Sequence, residues 1–367
     1  MSASVATPWD LLFPPPAEPA RARELELLLV RKRGEPLLLL PVRRNIAPAA
    51  LELYPAQSRI ARIARLVLNT ALRCGFRVGT ARVKLRVDMH SPFIRFLAPS
   101  TSSADDLCFA MLLGNPRAIG RRFVLLVFDN SGWPERIVKA GIGEPAIALI
   151  RRETAFLKSV SRDLLQTPAV LGEFAAGGIE AMAMDFAAGQ TPDAQDSAPL
   201  ARLLESWLNR ERTVRFAELP AAQRLAASAP GDERVRRVFA ELDGARFHPA
   251  ILHGDFTPWN IRVNPATKRW AVLDWERGEI AGPPAWDWFH FVIQHEILVR
   301  HAPTERVLAR TEALLHSAEF GRYAAAAGLE ACARPLLLAY ALYCCFAQRQ
   351  AEGMARIEAL LQGLQSR

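Results

Sequence analysis

The stretch His253-Gly254-Asp255-Phe256-Thr257-Pro258-Trp259-Asn260, followed downstream by Leu273-Asp274-Trp275-Glu276, decides how the rest of the chain is read. It places a carboxylate five residues before a side-chain amide, with a second carboxylate at the end of the apolar run 270–273. Asp and Asn also favour turns, so this spacing alone admits a structural reading. The chemical reading is phosphoryl transfer. That reaction needs one carboxylate to orient an acceptor hydroxyl and take its proton, and oxygen ligands for the magnesium that bridges nucleotide phosphates. Asp255 is the candidate base, and Asn260 and Asp274 are the candidate metal ligands.

Working towards the N-terminus, Lys139 lies in Ile137-Val138-Lys139-Ala140, a short apolar run read as a strand. A helix is expected over 146–160 and carries Glu153. A strand lysine can pair with the α and β phosphates, and a glutamate on the next helix can hold that lysine by an ion pair. Taken singly, Lys139 could be a solubilising edge lysine and Glu153 part of a solvated face beside Arg151 and Arg152. The order Lys, Glu, Asp, Asn, Asp along one chain is more specific than any member of it.

With these residues quoted, the sequence resembles the aminoglycoside phosphotransferase and choline kinase family, the small-molecule branch of the protein-kinase-like fold. The resemblance rests on His253 to Asn260 as H-G-D-x-x-x-x-N, on Asp274-Trp275-Glu276, and on Gly282-Pro283-Pro284-Ala285-Trp286-Asp287. It covers residues 100–300 by motif and the C-terminal helices by architecture only. It implies a transferase that uses magnesium-ATP. Asp255 would be catalytic, Asn260 and Asp274 would bind metal, and His253 and Asp287 would brace the loop. The nucleotide would be held by Lys139 and Glu153, with the 182–187 segment, including Met184 and Phe186, as the hinge that receives adenine. The loop from Gly114 to Gly120 is not a G-x-G-x-x-G, and Pro116 removes one backbone N–H; Gly114 and Gly120 are its nucleotide-binding candidates. Gly254 replaces the Arg of the protein-kinase loop, which points to a small-molecule acceptor.

The remaining sequence sets the frame. The chain has 367 residues, half of them apolar, so a sizeable core is expected. An α+β architecture is anticipated in three parts. Residues 1–99 form an accessory basic segment, 100–187 a five-stranded antiparallel N-lobe with the Glu153 helix, and 188–367 a mainly helical C-lobe. Strands are expected near 107–113, 123–128, 136–140, 170–174 and 179–186, and a hairpin over 25–40. Ile60, Ile63, Ala64, Val67, Leu68, Ala71 and Leu72 recur at helical spacing, with Ser58 as cap and Gly75 as stop.

The net charge is +8, yet residues 1–100 alone hold 16 Lys+Arg against 7 Asp+Glu. The excess therefore belongs to the N-terminal segment. Its basic helix, 58–75, either packs its stripe on the domain or rests on an anionic membrane surface. It lacks interleaved aromatics, and no nucleic-acid partner is expected. No apolar run is long enough to cross a bilayer, no secretory signal is read, and five cysteines without ligand spacing suit a cytoplasmic protein. His290, His295 and Glu296 do not have the spacing of H-E-x-x-H and read as packing or acceptor-pocket residues. From Phe289 onward there are seven Glu, no Asp and eight Arg, which favours a sugar, polyol or amino alcohol over a polycationic aminoglycoside. Two other functions stay open on the residues. One is a nucleotide-binding module without turnover; the other is a protein kinase, disfavoured by the short interval between Asp274 and Asp287.

Overall fold

Alternation of apolar side chains builds the first part of the molecule, described in a computed structural model. It describes residues 7–14, 22–54, 59–98, 106–114, 120–192, 196–348 and 353–365. Ser58 and loop residues 115–119 lie outside this set. The chain divides into two compact units, Met1–Ala155 with Pro168–Ala187, and Phe156–Thr167 with Ala188–Arg367.

The first unit is organised by one antiparallel sheet of eight strands: β1 (Ala22–Lys32), β2 (Glu35–Pro41), β3 (Thr80–Asp88), β4 (Cys108–Leu112), β5 (Arg121–Phe128), β6 (Pro134–Ile142), β7 (Val170–Ala176) and β8 (Ile179–Asp185). Their order is β3-β1-β2-β4-β5-β6-β8-β7. Four α-helices among the described residues belong here: α1 (Ala47–Ala50), α2 (Arg59–Arg73), α3 (Pro92–Leu97) and α4 (Glu144–Ser159), the last crossing the unit boundary. Both sheet faces are covered, and strand residues alternate between them. Leu27, Leu29, Leu39, Phe109, Met111, Leu125 and Val127 join Phe93 and Ile94 of α3 in one core. Leu28, Leu38, Leu40, Ala110, Leu126 and Phe128 join α1 and Leu72 of α2 in the other.

Two expectations change. The sheet has eight strands where five were anticipated, because β2 pairs with β4 (Leu38↔Leu112, Leu39↔Met111) and carries the N-terminal hairpin into the same sheet. Residues 22–41 and 108–112 therefore share one core, and no boundary falls near residue 99. Strand β3 was not anticipated. Its signal is an alternation of Val83, Leu85 and Val87 with Arg82, Lys84 and Arg86, the arginines and lysine pointing outward. The α2 stripe also splits. Leu68 and Leu72 pack on the α1 side, whereas Ile60, Ile63, Ala64 and Val67 are exposed.

The second unit is mainly helical, with α5 (Arg162–Leu165), α6 (Ser197–Ser206), α7 (Pro220–Ser228), α8 (Glu233–Leu242), α9 (Trp286–Gln294), α10 (Thr304–Leu315), α11 (Ala318–Ala327), α12 (Ala333–Tyr343) and α13 (Met354–Gln365). Its strands are short: β9 (Val214–Arg215) with β10 (Arg246–Phe247), β11 (Ala250–Leu252) with β14 (Glu279–Gly282), and β12 (Ile261–Val263) with β13 (Trp270–Val272). The molecule is thus α+β, with a sheet unit followed by a helical one, the class expected of a kinase-like chain. No described helix is long and apolar enough to cross a membrane.

Candidate active site

In the sheet unit, β6 is hydrogen-bonded on both sides, with Lys139 opposite Val124 of β5 and Met182 of β8. Val138 and Ala140 point into one core, so alternation sends Lys139 to the other face. Helix α4 approaches that face closely. A Cβ on Gly141 would lie 2.9 Å from the carbonyl of Ala146, and only glycine allows this contact. Glu153, one helical face further along, meets Lys139 Nζ with both carboxylate oxygens at 2.6 and 2.8 Å. The Glu153 side chain is buried and Lys139 nearly so. A charge pair held this way keeps the ammonium fixed in place.

Gly114 and Gly120 both have positive φ. A Cβ would fall 2.2 Å from the Arg122 carbonyl oxygen at Gly114, and 2.9 Å from the Ala146 nitrogen at Gly120. Backbone packing alone therefore demands glycine at both positions. In the expected hinge, Met184 is buried in β8 and pairs with Ile137 and Val170. The Asp185 N–H donates to Ala169 O and the Phe186 N–H to Glu135 O, so neither amide remains for adenine. The Phe186 ring packs against the core that contains Leu126 and Phe128.

In the helical unit, β11 delivers His253 and ends there, because Gly254 turns the chain with φ +78°. A Cβ at this position would sit 3.0 Å from Cβ of Arg277 and 3.1 Å from its carbonyl oxygen. An arginine here would meet both the steric wall and the left-handed backbone. The loop is anchored from α9. Asp287 Oδ2 accepts from the His253 N–H at 2.6 Å, and Oδ1 from the Gly254 N–H at 3.0 Å. Burial pushes the Asp287 carboxyl up to about 7, against these two donors. Gln348 donates to the Gly254 carbonyl at 2.8 Å from a π-helical turn, Cys344–Gln348.

His253 is fully enclosed, its ring centroid 4.6 Å from that of Trp275. Its Nδ1 accepts from the Asp255 N–H at 3.2 Å, so Nε2 carries the proton and donates to Leu273 O at 2.8 Å. Burial lowers its pKa to about 4, and the ring is a neutral brace between the Asp255 loop and the strand that leads to Asp274.

Asp255 is gripped at both oxygens. His290 Nε2 donates to Oδ1 at 3.1 Å, and Asn260 Nδ2 donates to Oδ2 at 3.3 Å and to the Asp255 carbonyl at 2.9 Å. Burial pushes this carboxyl up, but the hydrogen bond from His290 and the nearby Arg277 guanidinium outweigh it, and the group sits below the usual carboxylate value. The Asp255 carboxyl is therefore ionised at neutral pH.

Behind His290, the Tyr340 hydroxyl lies 2.9 Å from Nδ1. Burial pushes that hydroxyl's pKa far up, so it remains a donor. Asn260 ends a short 3-10 turn, Pro258–Asn260, and its carbonyl accepts from the Leu273 N–H at 2.8 Å. That bond brings Asp274 alongside, on a left-handed residue with φ 71°. A non-glycine residue in this region is uncommon, and such outliers cluster at functional sites.

Asn260 commits its Nδ2 to Asp255, which directs Oδ1 away as an oxygen donor. The Asn260 amide oxygen and the Asp274 carboxylate are hard oxygen donors, the type magnesium takes. Among the described residues no cluster of three His, Cys, Asp or Glu forms a self-sufficient metal cage.

Three contributors escaped the sequence reading: Tyr340, Gln348 and Arg277. Nη1 of Arg277 is buried without a hydrogen-bond partner among the described residues. The His290–His295–Glu296 group separates in space. His290 faces Asp255, His295 accepts from Arg300, and the buried Glu296 is ringed by Arg300, Arg306 and Arg310.

A family model described as the phosphotransferase enzyme family matches residues 120–329, more than half of the chain. No curated protein matches it. Among solved structures, the chain is similar to an ethanolamine kinase from Plasmodium vivax, at 10% identity over 91% of this chain and 95% of that one, with a TM-score of 0.47. It is also similar to a thermostable mutant of aminoglycoside phosphotransferase APH(4)-Ia in a ternary complex with ADP and hygromycin B. That match has 16% identity over 69% of this chain and 93% of the other, with a TM-score of 0.44. A third is aminoglycoside phosphotransferase APH(3'')-Id from Streptomyces rimosus, at 15% identity, 60% and 87% coverage, and a TM-score of 0.39.

Proposed function

The chain belongs to the phosphotransferase enzyme family, and from that premise we propose that it moves the γ-phosphate of ATP to a hydroxyl of a small molecule, with Asp255 as the base. The observation that carries this reading is the Asp255 carboxylate, held ionised between the donors of His290 and Asn260 in a loop braced by His253 and Asp287. A carboxylate fixed at both oxygens keeps lone pairs in a set direction for the acceptor's O–H. It takes that proton as the oxygen attacks phosphorus.

Asn260 and Asp274 hold magnesium in this reading, and the ion neutralises charge on the phosphate oxygens when bound. Lys139, kept in place by Glu153, binds the α and β phosphates. Met184 and Phe186 contribute carbonyls and apolar surface for adenine, since the Asp185 and Phe186 amides are used internally. Arg277, close to Asp255, supplies a buried guanidinium nitrogen to the transferred phosphoryl group.

The acceptor class follows from charge. Three glutamates of the helical unit are engaged by arginines: Glu296 by three of them, Glu312 by Arg334, and Glu279 by Arg224. A polycation would need carboxylates left over for it, so a sugar, polyol or amino alcohol is the better acceptor. The test incubates the protein with magnesium-ATP and a library of hydroxylated compounds, aminoglycosides included, and follows ADP release. Acceptor-dependent ADP should fall by about 10²- to 10⁴-fold in Asp255→Ala, as for loss of a general base. Unchanged turnover in that variant would remove Asp255 from the chemistry.

A further inference from the structure

Helix α2 carries two apolar arcs, and the described residues cover one of them. Leu68 and Leu72 face the core that contains α1. On the other side Ile60, Ile63, Leu66 and Val67 are 81, 62, 66 and 62% exposed, a row at i, i+3, i+6 and i+7 along one helical face. The row continues past the helix end through the exposed Phe76 and Val78.

Charge identifies what can cover it. Between Glu52 and Asp88 the sequence holds eight Lys and Arg and no acidic residue. Arg82, Lys84 and Arg86 of β3 are matched across the sheet by Glu24 and Glu26. Arg62, Arg65, Arg73 and Arg77 form no ion pair among the described residues. Arg73 bonds to Asn69 one turn back, and Arg65 reaches the Tyr54 carbonyl. Arg62 and Arg73 project along one flank of the exposed arc. A second copy of this chain would bring the same arginines face to face without a compensating carboxylate, so self-pairing opposes itself. An aliphatic ridge flanked by arginines suits the boundary of an anionic bilayer, where side chains enter the acyl edge and guanidinium groups meet lipid phosphates.

We propose that α2 and the turn after it seat the protein on an anionic phospholipid surface, with Ile60, Ile63, Leu66 and Val67 entering the headgroup–acyl boundary. The arrangement is independent of the phosphoryl-transfer residues and stands whether or not the acceptor is itself a lipid.

Co-sedimentation of the full chain with vesicles of phosphatidylcholine alone, or mixed with phosphatidylglycerol, tests it. Binding should require phosphatidylglycerol and weaken with salt. Arg62→Gln with Arg73→Gln should lower the partition coefficient by about fivefold per residue. Ile63→Gln with Val67→Gln should lower it by at least about tenfold, while leaving the melting temperature and ADP release with soluble acceptors unchanged. Three results would overturn the proposal. One is no binding to anionic vesicles. Another is binding indifferent to the Ile63/Val67 change. The third is concentration-dependent self-association that this change abolishes, which would assign the face to a second copy.

Discussion

Removing one buried hydroxyl, in Tyr340→Phe, tests how the base is held. The hydroxyl lies 2.9 Å from Nδ1 of His290, whose Nε2 lies 3.1 Å from Asp255 Oδ1. Its loss leaves a buried ring nitrogen without its donor, at a cost of about 1–3 kcal/mol. At about 2–4 °C per kcal/mol for a unit of this size, Tm should fall by roughly 2–12 °C. His290→Leu removes the donor to the carboxylate itself. A hydrogen bond to a charged group contributes about 1.5–3 kcal/mol, so up to about tenfold to hundredfold in kcat depends on it.

The informative quantity is the coupling. Tyr340 also borders Gln294 and Cys344, and these neighbours are the same in both backgrounds. If Tyr340 acts through His290, Tyr340→Phe should cost kcat severalfold in the parent and almost nothing in His290→Leu. ADP-release kinetics and thermal melts on the four proteins measure it. Equal kcat losses in the two backgrounds would refute the chain from Tyr340 through His290 to Asp255.

Other substitutions probe separate parts of the site. Gly254→Ala forces a Cβ onto a φ of +78°, 3.0 Å from Arg277 Cβ; chemical denaturation should show a loss of about 1–2 kcal/mol, with a lowered kcat. Lys139→Ala should raise KM for ATP by more than tenfold while the acceptor KM holds, and a proportionate rise in both would argue for misfolding of the sheet unit. Asp274→Asn should shift the magnesium concentration for half-maximal turnover upward by at least tenfold; an unmoved magnesium titration would take Asp274 out of the metal site.

Contacts between neighbours in sequence were legible. Asp255 and Asn260 are five apart, and a single 3-10 turn suffices to fold the amide back on the carboxylate. Alternation in 136–140 sets Lys139 apart from Val138 and Ala140, and helical spacing carries Glu153. The brace by Asp287 was expected from its motif, and the structure adds the two N–H bonds that hold the loop. His290 was read as a packing or acceptor-pocket residue, but its direction was not readable. Its partners Asp255 and Tyr340 lie 35 and 50 positions away, and Gln348 reaches Gly254 across 94. A side chain's partner at such separation depends on how helices pack, and no local spacing encodes it.

The sheet and α2 divide in the same way. Apolar runs specified strands, but not that β2 would meet β4, because any two unpaired edges can offer the same donors and acceptors. The exposed alternation of β3 was present in the residues and became a strand through its pairing with β1 along Ala22↔Asp88 to Val30↔Thr80. For α2 the sequence determined an amphipathic helix rich in arginine, with an apolar arc wider than one contact can cover. Which part of that arc turns inward was decided by tertiary packing, since only Leu68 and Leu72 find the core beside α1, and Ile60, Ile63 and Val67 are left facing out.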